Sequence, residues 1–150
     1  MQPEIKESYR FPKAERLHHR SLVEGLFRLG KSFYEFPFKV TWRKLSQAEL
    51  EANFRNKLPA DIGSLQMMVT VPKKKRHKAT DRVLMRRRIR EAYRLHRIPL
   101  RKELETETSH GTLSLALVYV HDKNLPYAMI EQKMIQLLDK LYARTTSQEK

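Results

Sequence analysis

The chemistry available to this chain is carried first by guanidinium groups. Residues 81–97 read DRVLMRRRIREAYRLHR, and seven of these seventeen positions are arginine. A guanidinium is a planar, permanently charged donor fork that matches the oxygens of a phosphate. On a helix advancing about 100° per residue, Arg82, Arg86, Arg87, Arg90, Arg94, Arg97 and Arg101 fall within an arc of about 140°. Leu84, Met85, Ile89, Ala92, Leu95 and His96 fill the other side. The segment therefore reads as an amphipathic helix with an arginine face and a core face. Arg88 falls among the apolar positions, where it must snorkel, pair with an acid or reach a second surface. A helix of sixteen residues is about 24 Å long, which suits several phosphates in succession better than one small ligand.

The charge is localised as well as ordered. Of a formal net charge of +14, residues 73–102 account for +12, with 14 Lys/Arg against Asp81 and Glu91. The other 120 residues are nearly neutral. The basic loop KKKRHK (73–78) adjoins the helix, so the pattern indicates a dedicated polyanion surface in place of a generally solvated basic face. Lys74, Lys75, Arg76, Lys78, Arg82, Arg86, Arg87, Arg90, Arg94 and Arg97 are the candidate RNA-binding residues. The aromatics Phe27, Phe33, Tyr34, Phe36, Phe38 and Trp42, close together in sequence, suit single-stranded RNA, whose bases can stack on ring faces. Period-two spacing assigns Phe36, Phe38 and Trp42 to a core, and Phe27 stays open between core and cleft.

Other chemistries have less support. The chain has no cysteine, so thiolate chemistry is excluded and a reducing, cytoplasmic setting fits. The six histidines form no metal-ligand motif and the acids do not cluster as a nuclease would require. No metal ligands and no protein-borne catalytic residues are expected. No apolar run approaches the length of a membrane span, and MQPEIKESYR lacks an export-signal core. A ribosomal or other structural RNA-binding protein is the alternative within the same chemistry.

The elements that must position these groups follow from patterning. Residues 1–15 read as a flexible arm and 144–150 as a frayed end, around one domain over 16–143. A helix is expected over 20–29, with Ser21 and Glu24 at capping-box spacing and Gly30 as its stop. One strand is expected within 32–45, with Phe36, Phe38, Val40 and Trp42 on one face and Glu35, Lys39 and Thr41 on the other. Residues 46–64 form an excursion, or insertion, containing one or two helical turns behind a second capping-box spacing at Ser46 and Glu49. A strand follows at 65–71. The arginine helix is expected over 81–98, with Asp81 as its N-cap and Pro99 just past its end. A strand covered on both faces is expected at 112–120, and a last helix at 125–143 with Ile130, Met134, Leu137, Leu138 and Leu141 facing the core.

Two stretches carry a resemblance. KKKRHKATDRVLMRRRIREAYRL (73–95) resembles the signature of the protein subunit of bacterial ribonuclease P: a Lys-Lys pair, a short loop, an Arg-Asn-Arg box and an Arg-rich helix. Lys74 and Lys75 match the pair, Ala79 a small loop residue and Arg82 the first box position. Arg86, Arg87, Arg90, Glu91, Ala92, Tyr93 and Arg94 match the helix. RLHHRSLVEGLFRLGKS (16–32) is similar to the family's N-terminal helix through Arg16, Leu17, Phe27, Gly30, Lys31 and Ser32. Val83 and Leu84 replace the rest of the box, and Val23 and Thr41 stand where the family carries aromatics. The resemblance implies an α+β fold, a two-layer α/β sandwich of order αβ(β)βαβα with a left-handed βαβ crossover. It implies a non-catalytic subunit that binds the catalytic RNA of ribonuclease P and the 5′ leader of precursor tRNA, with Phe27, Lys39 and Thr41 as candidate cleft residues. It further implies that the RNA carries the endonucleolytic reaction with Mg2+; the oligomeric state is not fixed by the sequence, and a monomer is assumed.

Overall fold

The computed structural model describes residues 11–55 and 57–146. After a 3-10 turn at Lys13–Glu15 the order is α1 (Arg20–Leu29), β1 (Lys31–Glu35), β2 (Phe38–Ser46), α2 (Gln47–Asn53), β3 (Leu65–Thr70), α3 (Ala79–His96), α4 (Ile98–Glu105), β4 (His110–Tyr119) and α5 (Tyr127–Thr146). The fold is α+β. A four-stranded mixed sheet runs β1-β2-β4-β3, antiparallel except for the β3–β4 pair, which α3 and α4 connect.

Alternation along the strands assigns the two faces. Phe38, Val40 and Trp42 of β2, Leu65 and Met67 of β3, and Leu113, Leu115, Leu117 and Tyr119 of β4 bury one face. Met85, Ile89, Ala92 and Tyr93 of α3, Leu100 and Leu104 of α4, and the expected apolar stripe of α5 close over it. Each large side chain so buried contributes about 1.5–3 kcal/mol. The opposite face is covered at one end only. There Leu22 and Leu26 of α1 and Leu50 of α2 pack with Leu17, Leu45 and Ala116. β4, in the middle of the sheet, is buried on both faces over most of its length.

Several expectations need correction. The single strand at 32–45 is a hairpin that reverses at Phe36–Pro37. Antiparallel partners share a face and Glu35 pairs with Phe38 across a two-residue turn, so the alternation changes parity there: Phe33 and Glu35 lie on the face of Phe38 and Val40, not with Lys39 and Thr41 as expected for Glu35, and Glu35 pairs with Lys140 of α5. Phe36 therefore sits in the turn, edge-on to His121, and is not part of the buried row. The Ser21/Glu24 capping box does not form. His19 is the N-cap of α1, Glu24 pairs with Arg20, and the Ser21 hydroxyl accepts from Asn53. The second box forms: the Glu49 amide donates to Ser46 Oγ at 3.1 Å, and the Ser46 amide to Glu49 Oε1 at 2.8 Å. Gly30 does end α1, and a Cβ there would meet the carbonyl oxygens of Leu26 at 2.4 Å and Trp42 at 2.9 Å.

The arginine helix starts and ends two residues early, and a second helix, α4, follows at once. Pro99 lies in its first turn, where a missing N–H costs nothing. Asp81 lies inside the first turn of α3, whose N-cap is Lys78. Residues 11–15 are not a free arm: Phe11 packs edge-on against Tyr93 at 5.8 Å, and Glu15 is buried. The Leu17 amide then donates to the Met67 carbonyl, extending the sheet beyond β3. Helix α5 includes residues 144–146, while 1–10 and 147–150 lie outside the described residues.

Candidate nucleic-acid interface

Between β3 and α3 the chain turns sharply, with the Lys75 and Arg76 amides both donating to the Pro72 carbonyl. Arg76 then holds the loop in place. Its guanidinium donates to Asn124 Oδ1 at 2.9 Å, the Asp122 carbonyl at 2.6 Å and Asp81 Oδ2 at 2.9 Å. Asn124 also donates to Asp81. That hydrogen bond, followed by the charges of Arg76 and Lys78, holds the Asp81 carboxyl below the usual aspartate range. Arg82 turns back and donates to the Arg76 and His77 carbonyls at 2.9 and 2.8 Å. Arg76 and Arg82 thus shape the loop from within, leaving Lys73, Lys74 and Lys78 exposed and Lys75 half-buried.

Along α3 the projected face divides. Arg87 and Arg90 are exposed and Arg86 is half-exposed, and none of the three has an acidic partner among the described residues. Burial, then the charges of Arg86 and Arg16, lower the Arg90 pKa from the ordinary arginine value. These three cations crowd one another. Arg94 is chelated by Glu91 at 2.7 Å, which lowers the Glu91 pKa and raises that of Arg94. Arg88 donates to the Leu125 carbonyl, so it ties α3 to the segment before α5.

Arg97 is not on the exposed face. Its side chain is 0% exposed and pairs with Glu15 at 2.6 and 3.1 Å. Arg101 reaches the same carboxylate at 3.1 Å. The helical wheel fails for these two because α3 ends at His96 and α4 begins on a new axis. Their guanidinium groups follow the buried acid instead of the arc.

A second part of the site lies on the uncovered end of the sheet. In register, Tyr34, Lys39, Val118 and Thr70 form the open row across the four strands, and Ser32, Thr41, Ala116 and Met68 the next, where the cover of α1 begins over Ala116 and Met68. Lys39 is exposed, and Tyr34 directly opposite it is 59% exposed. Thr41 is only 5% exposed, with its hydroxyl 3.1 Å from Ser32 Oγ, so it supports the floor of the cleft and offers little surface. Phe27 of α1 is 52% exposed. Gly25 and Ser21 of that helix turn toward Arg43 and Asn53. Val23 and Phe27 therefore lie on the side facing the open row. Where the strand leaves the Arg16–Leu17 extension, a cleft of about 300 Å³ is lined by Phe11, Arg16, Met68, Val69 and Arg90. Arg90 thus stands at the junction of the basic helix and the open sheet.

The sequence reading named Tyr34 among the clustered aromatics and Arg16 in the family-like N-terminal stretch, but assigned neither to the cleft. Tyr34 is placed there by counting the register back across the turn at Phe36–Pro37. Arg16 reaches it through the parallel bridge to β3. His96, placed among core positions, is half-exposed with Nε2 2.8 Å from Glu131. His18 and His19, which belong to no metal-ligand motif in the sequence, converge on Asp61.

A family model described as ribonuclease P matches residues 11–142. Among curated proteins, the ribonuclease P protein components of two strains of Porphyromonas gingivalis are each 27% identical to this chain over 135 residues, which span 90% of it and 88% of the relative. Among solved structures, the RNase P protein of Staphylococcus aureus superposes with a TM-score of 0.58 at 16% identity, over 86% of this chain and 96% of that one. The RNase P protein of Thermotoga maritima gives 0.54 at 19% identity, over 84% and 96%. These structural likenesses concern the fold.

Proposed function

Because the chain belongs to the ribonuclease P protein family, and so is the protein component of a ribonucleoprotein of tRNA processing, we propose that α3 and the 73–78 loop dock on its RNA while the open end of the sheet holds the 5′ leader of precursor tRNA. The observation that carries this reading is the row of unneutralised arginines, Arg86, Arg87 and Arg90, beside a cleft edged by Phe27, Tyr34 and Lys39. Two RNAs folded against each other repel, and an ordered cationic face between them offsets that repulsion by displacing counterions. Lys74 and Lys78 extend the row. Lys75 and Arg94 border it, whereas Arg76 and Arg82 hold the loop's shape.

On the cleft side the recognition is of single strands. Exposed rings at Phe27 and Tyr34 suit unstacked bases, and Lys39 suits the backbone between them. Chemistry at the scissile bond is assigned to the RNA. The acids nearest the basic face are committed: Asp81 to Arg76 and Asn124, and Glu91 to Arg94. They do not fit as ligands for the Mg2+ that hydrolysis would use, and no step is routed through them. The protein acts as a monomer in the cytoplasm. Among the described residues no helix is long and apolar enough to cross a membrane.

The test is reconstitution. Precursor tRNA is incubated with the protein, with the catalytic RNA, and with both, at near-physiological salt. Cleavage strongly enhanced only in the mixture is the expected result. Cleavage by the protein alone would overturn the assignment of chemistry to RNA, and an unchanged rate in the mixture would overturn the assisting role. With about five phosphate contacts, log affinity for RNA should fall against log salt with a slope near −3.5, using single-strand-like values.

A further inference from the structure

We propose that His18, His19 and Asp61 form a binding site for a zinc-type divalent transition-metal ion, which clips the excursion between α2 and β3 onto the start of α1. Adjacent His18 and His19 meet an aspartate 42 residues beyond His19 in sequence. His19 Nε2 lies 3.1 Å from Asp61 Oδ1, and His18 Nε2 lies 3.5 Å from Asp61 Oδ2. One ligand atom from each lies within 4.8 Å of the others, and the two imidazole rings are 4.3 Å apart. Ligands of a tetrahedral zinc ion, bound at about 2.0–2.1 Å, sit about 3.3 Å from one another. The separations from Asp61 bracket that value.

The protonation pattern argues for a cation. His18 Nδ1 lies 3.0 Å from the Arg16 carbonyl. A carbonyl only accepts, so Nδ1 carries the proton. In the neutral ring Nε2 then presents a lone pair to a carboxylate oxygen. His19 Nε2 faces the other oxygen of the same group. Without a metal, His19 meets Asp61 through an Nε2 proton, whereas the neutral His18 ring has only a lone pair to offer the carboxylate, beside Lys13, whose ammonium is 3.7 Å from Asp61. One divalent ion satisfies the His18 lone pair and the carboxylate together and takes the place of the His19 proton. A backbone carbonyl behind the distal nitrogen is also the usual support of a metal-bound histidine.

The site is backed by apolar packing. Phe54 lies edge-on to His19 at 5.5 Å, and Phe54, Leu58 and Ile62 rest on the cluster beneath α1. Two imidazoles and one carboxylate select zinc, nickel, cobalt or copper over magnesium and calcium. The fourth position is open to water or an anion. Lys13 is the competing cation, and its exposed side chain can swing clear. His19 is the N-cap of α1, the helix that carries Phe27, so the ion would also stiffen one wall of the cleft.

The experiment uses the untagged full chain, titrated with CoCl2 and then ZnCl2. Expected are the intense visible bands of low-coordinate cobalt, bleached by one equivalent of zinc per chain, and slower amide exchange across residues 57–63 when zinc is bound. Asp61→Asn should weaken zinc binding about tenfold and His18→Asn with His19→Asn about a hundredfold, while His77→Asn leaves it unchanged. If the double histidine variant misfolds, Asp61→Asn decides alone, with the native circular dichroism spectrum as its control. A cobalt spectrum that stays octahedral, or zinc affinity equal in the wild type and Asp61→Asn, would overturn the site.

Discussion

The two ends of the arginine-rich segment carry the same residue type on the same projected arc and behave in opposite ways. At Arg86, Arg87 and Arg90 the guanidinium groups face outward without acids. At Arg97 and Arg101 they converge on the buried carboxylate of Glu15. The projection as one continuous helix does not separate them, and the break between α3 and α4 at Arg97 is only part of the difference. What separates them is an acid more than eighty residues away in sequence, delivered by the 3-10 turn at Lys13–Glu15. An arginine face is therefore a docking surface only where the rest of the chain leaves it unanswered.

The largest effect expected from breaking this contrast is on stability. Arg97→Ala leaves the Glu15 carboxylate buried with only Arg101 beside it. Removing one partner of a buried pair costs about 3–5 kcal/mol, read as a lower denaturant midpoint with an unchanged m-value. Arg86→Ala combined with Arg90→Ala should shift stability by no more than about 0.5 kcal/mol. If instead the Arg97 variant is as stable as wild type and the Arg86/Arg90 variant is not, the division drawn here is inverted.

The next effect is on binding. Arg86→Ala with Arg90→Ala should weaken RNA affinity about tenfold to a hundredfold at physiological salt. It should also make the salt slope shallower by about 1.4, two contacts at single-strand values. Fluorescence anisotropy over a salt series measures both. An unchanged slope would remove these residues from the phosphate contacts.

A smaller effect sharpens the difference between helix and cleft. Phe27→Ala and Tyr34→Ala should each cost about 1–3 kcal/mol, the value of stacking one base, and only for substrates with a leader. The ratio of affinities for long-leader and leaderless precursor tRNA measures it. Equal losses on both substrates would place these rings outside the leader path.

The smallest effect is a pH dependence of the 73–78 loop. Asp81 has its pKa lowered, chiefly by the Asn124 hydrogen bond. A depressed carboxyl stabilises the fold above the ordinary aspartate value of about 3.9 and loses that contribution as pH falls through its own lower value. Amide protection across the loop, taken relative to the intrinsic exchange rate at each pH, should stay high at neutral pH and fall below about pH 4, and Asp81→Asn should show the low protection at neutral pH.

Legibility followed the range of the interactions. Helix α1, the capped helix α2, the core stripe of α5 and the outward direction of Arg86, Arg87 and Arg90 were all readable, because each depends on neighbours within two turns. The hairpin was not, since Phe36 in its turn keeps the period-two spacing of Phe38, Val40 and Trp42 and reads as one more strand residue. Helix α4 was missed because Pro99 at a first turn and Pro99 past an end look alike until the following residues are packed. The burial of Thr41 was not legible, because its 5% exposure is set by groups outside its own strand, Ser32 across the hairpin among them.

Taken alone, the sequence determined that a cationic helix must present one flank to solvent and seal the other, because charge and apolar period are local properties. Which cations remain available to a partner was decided in three dimensions. A carboxylate neutralises whatever guanidinium the fold brings beside it, and the positions of Glu15, Asp81, Glu91 and Asp61 relative to their partners are set by packing.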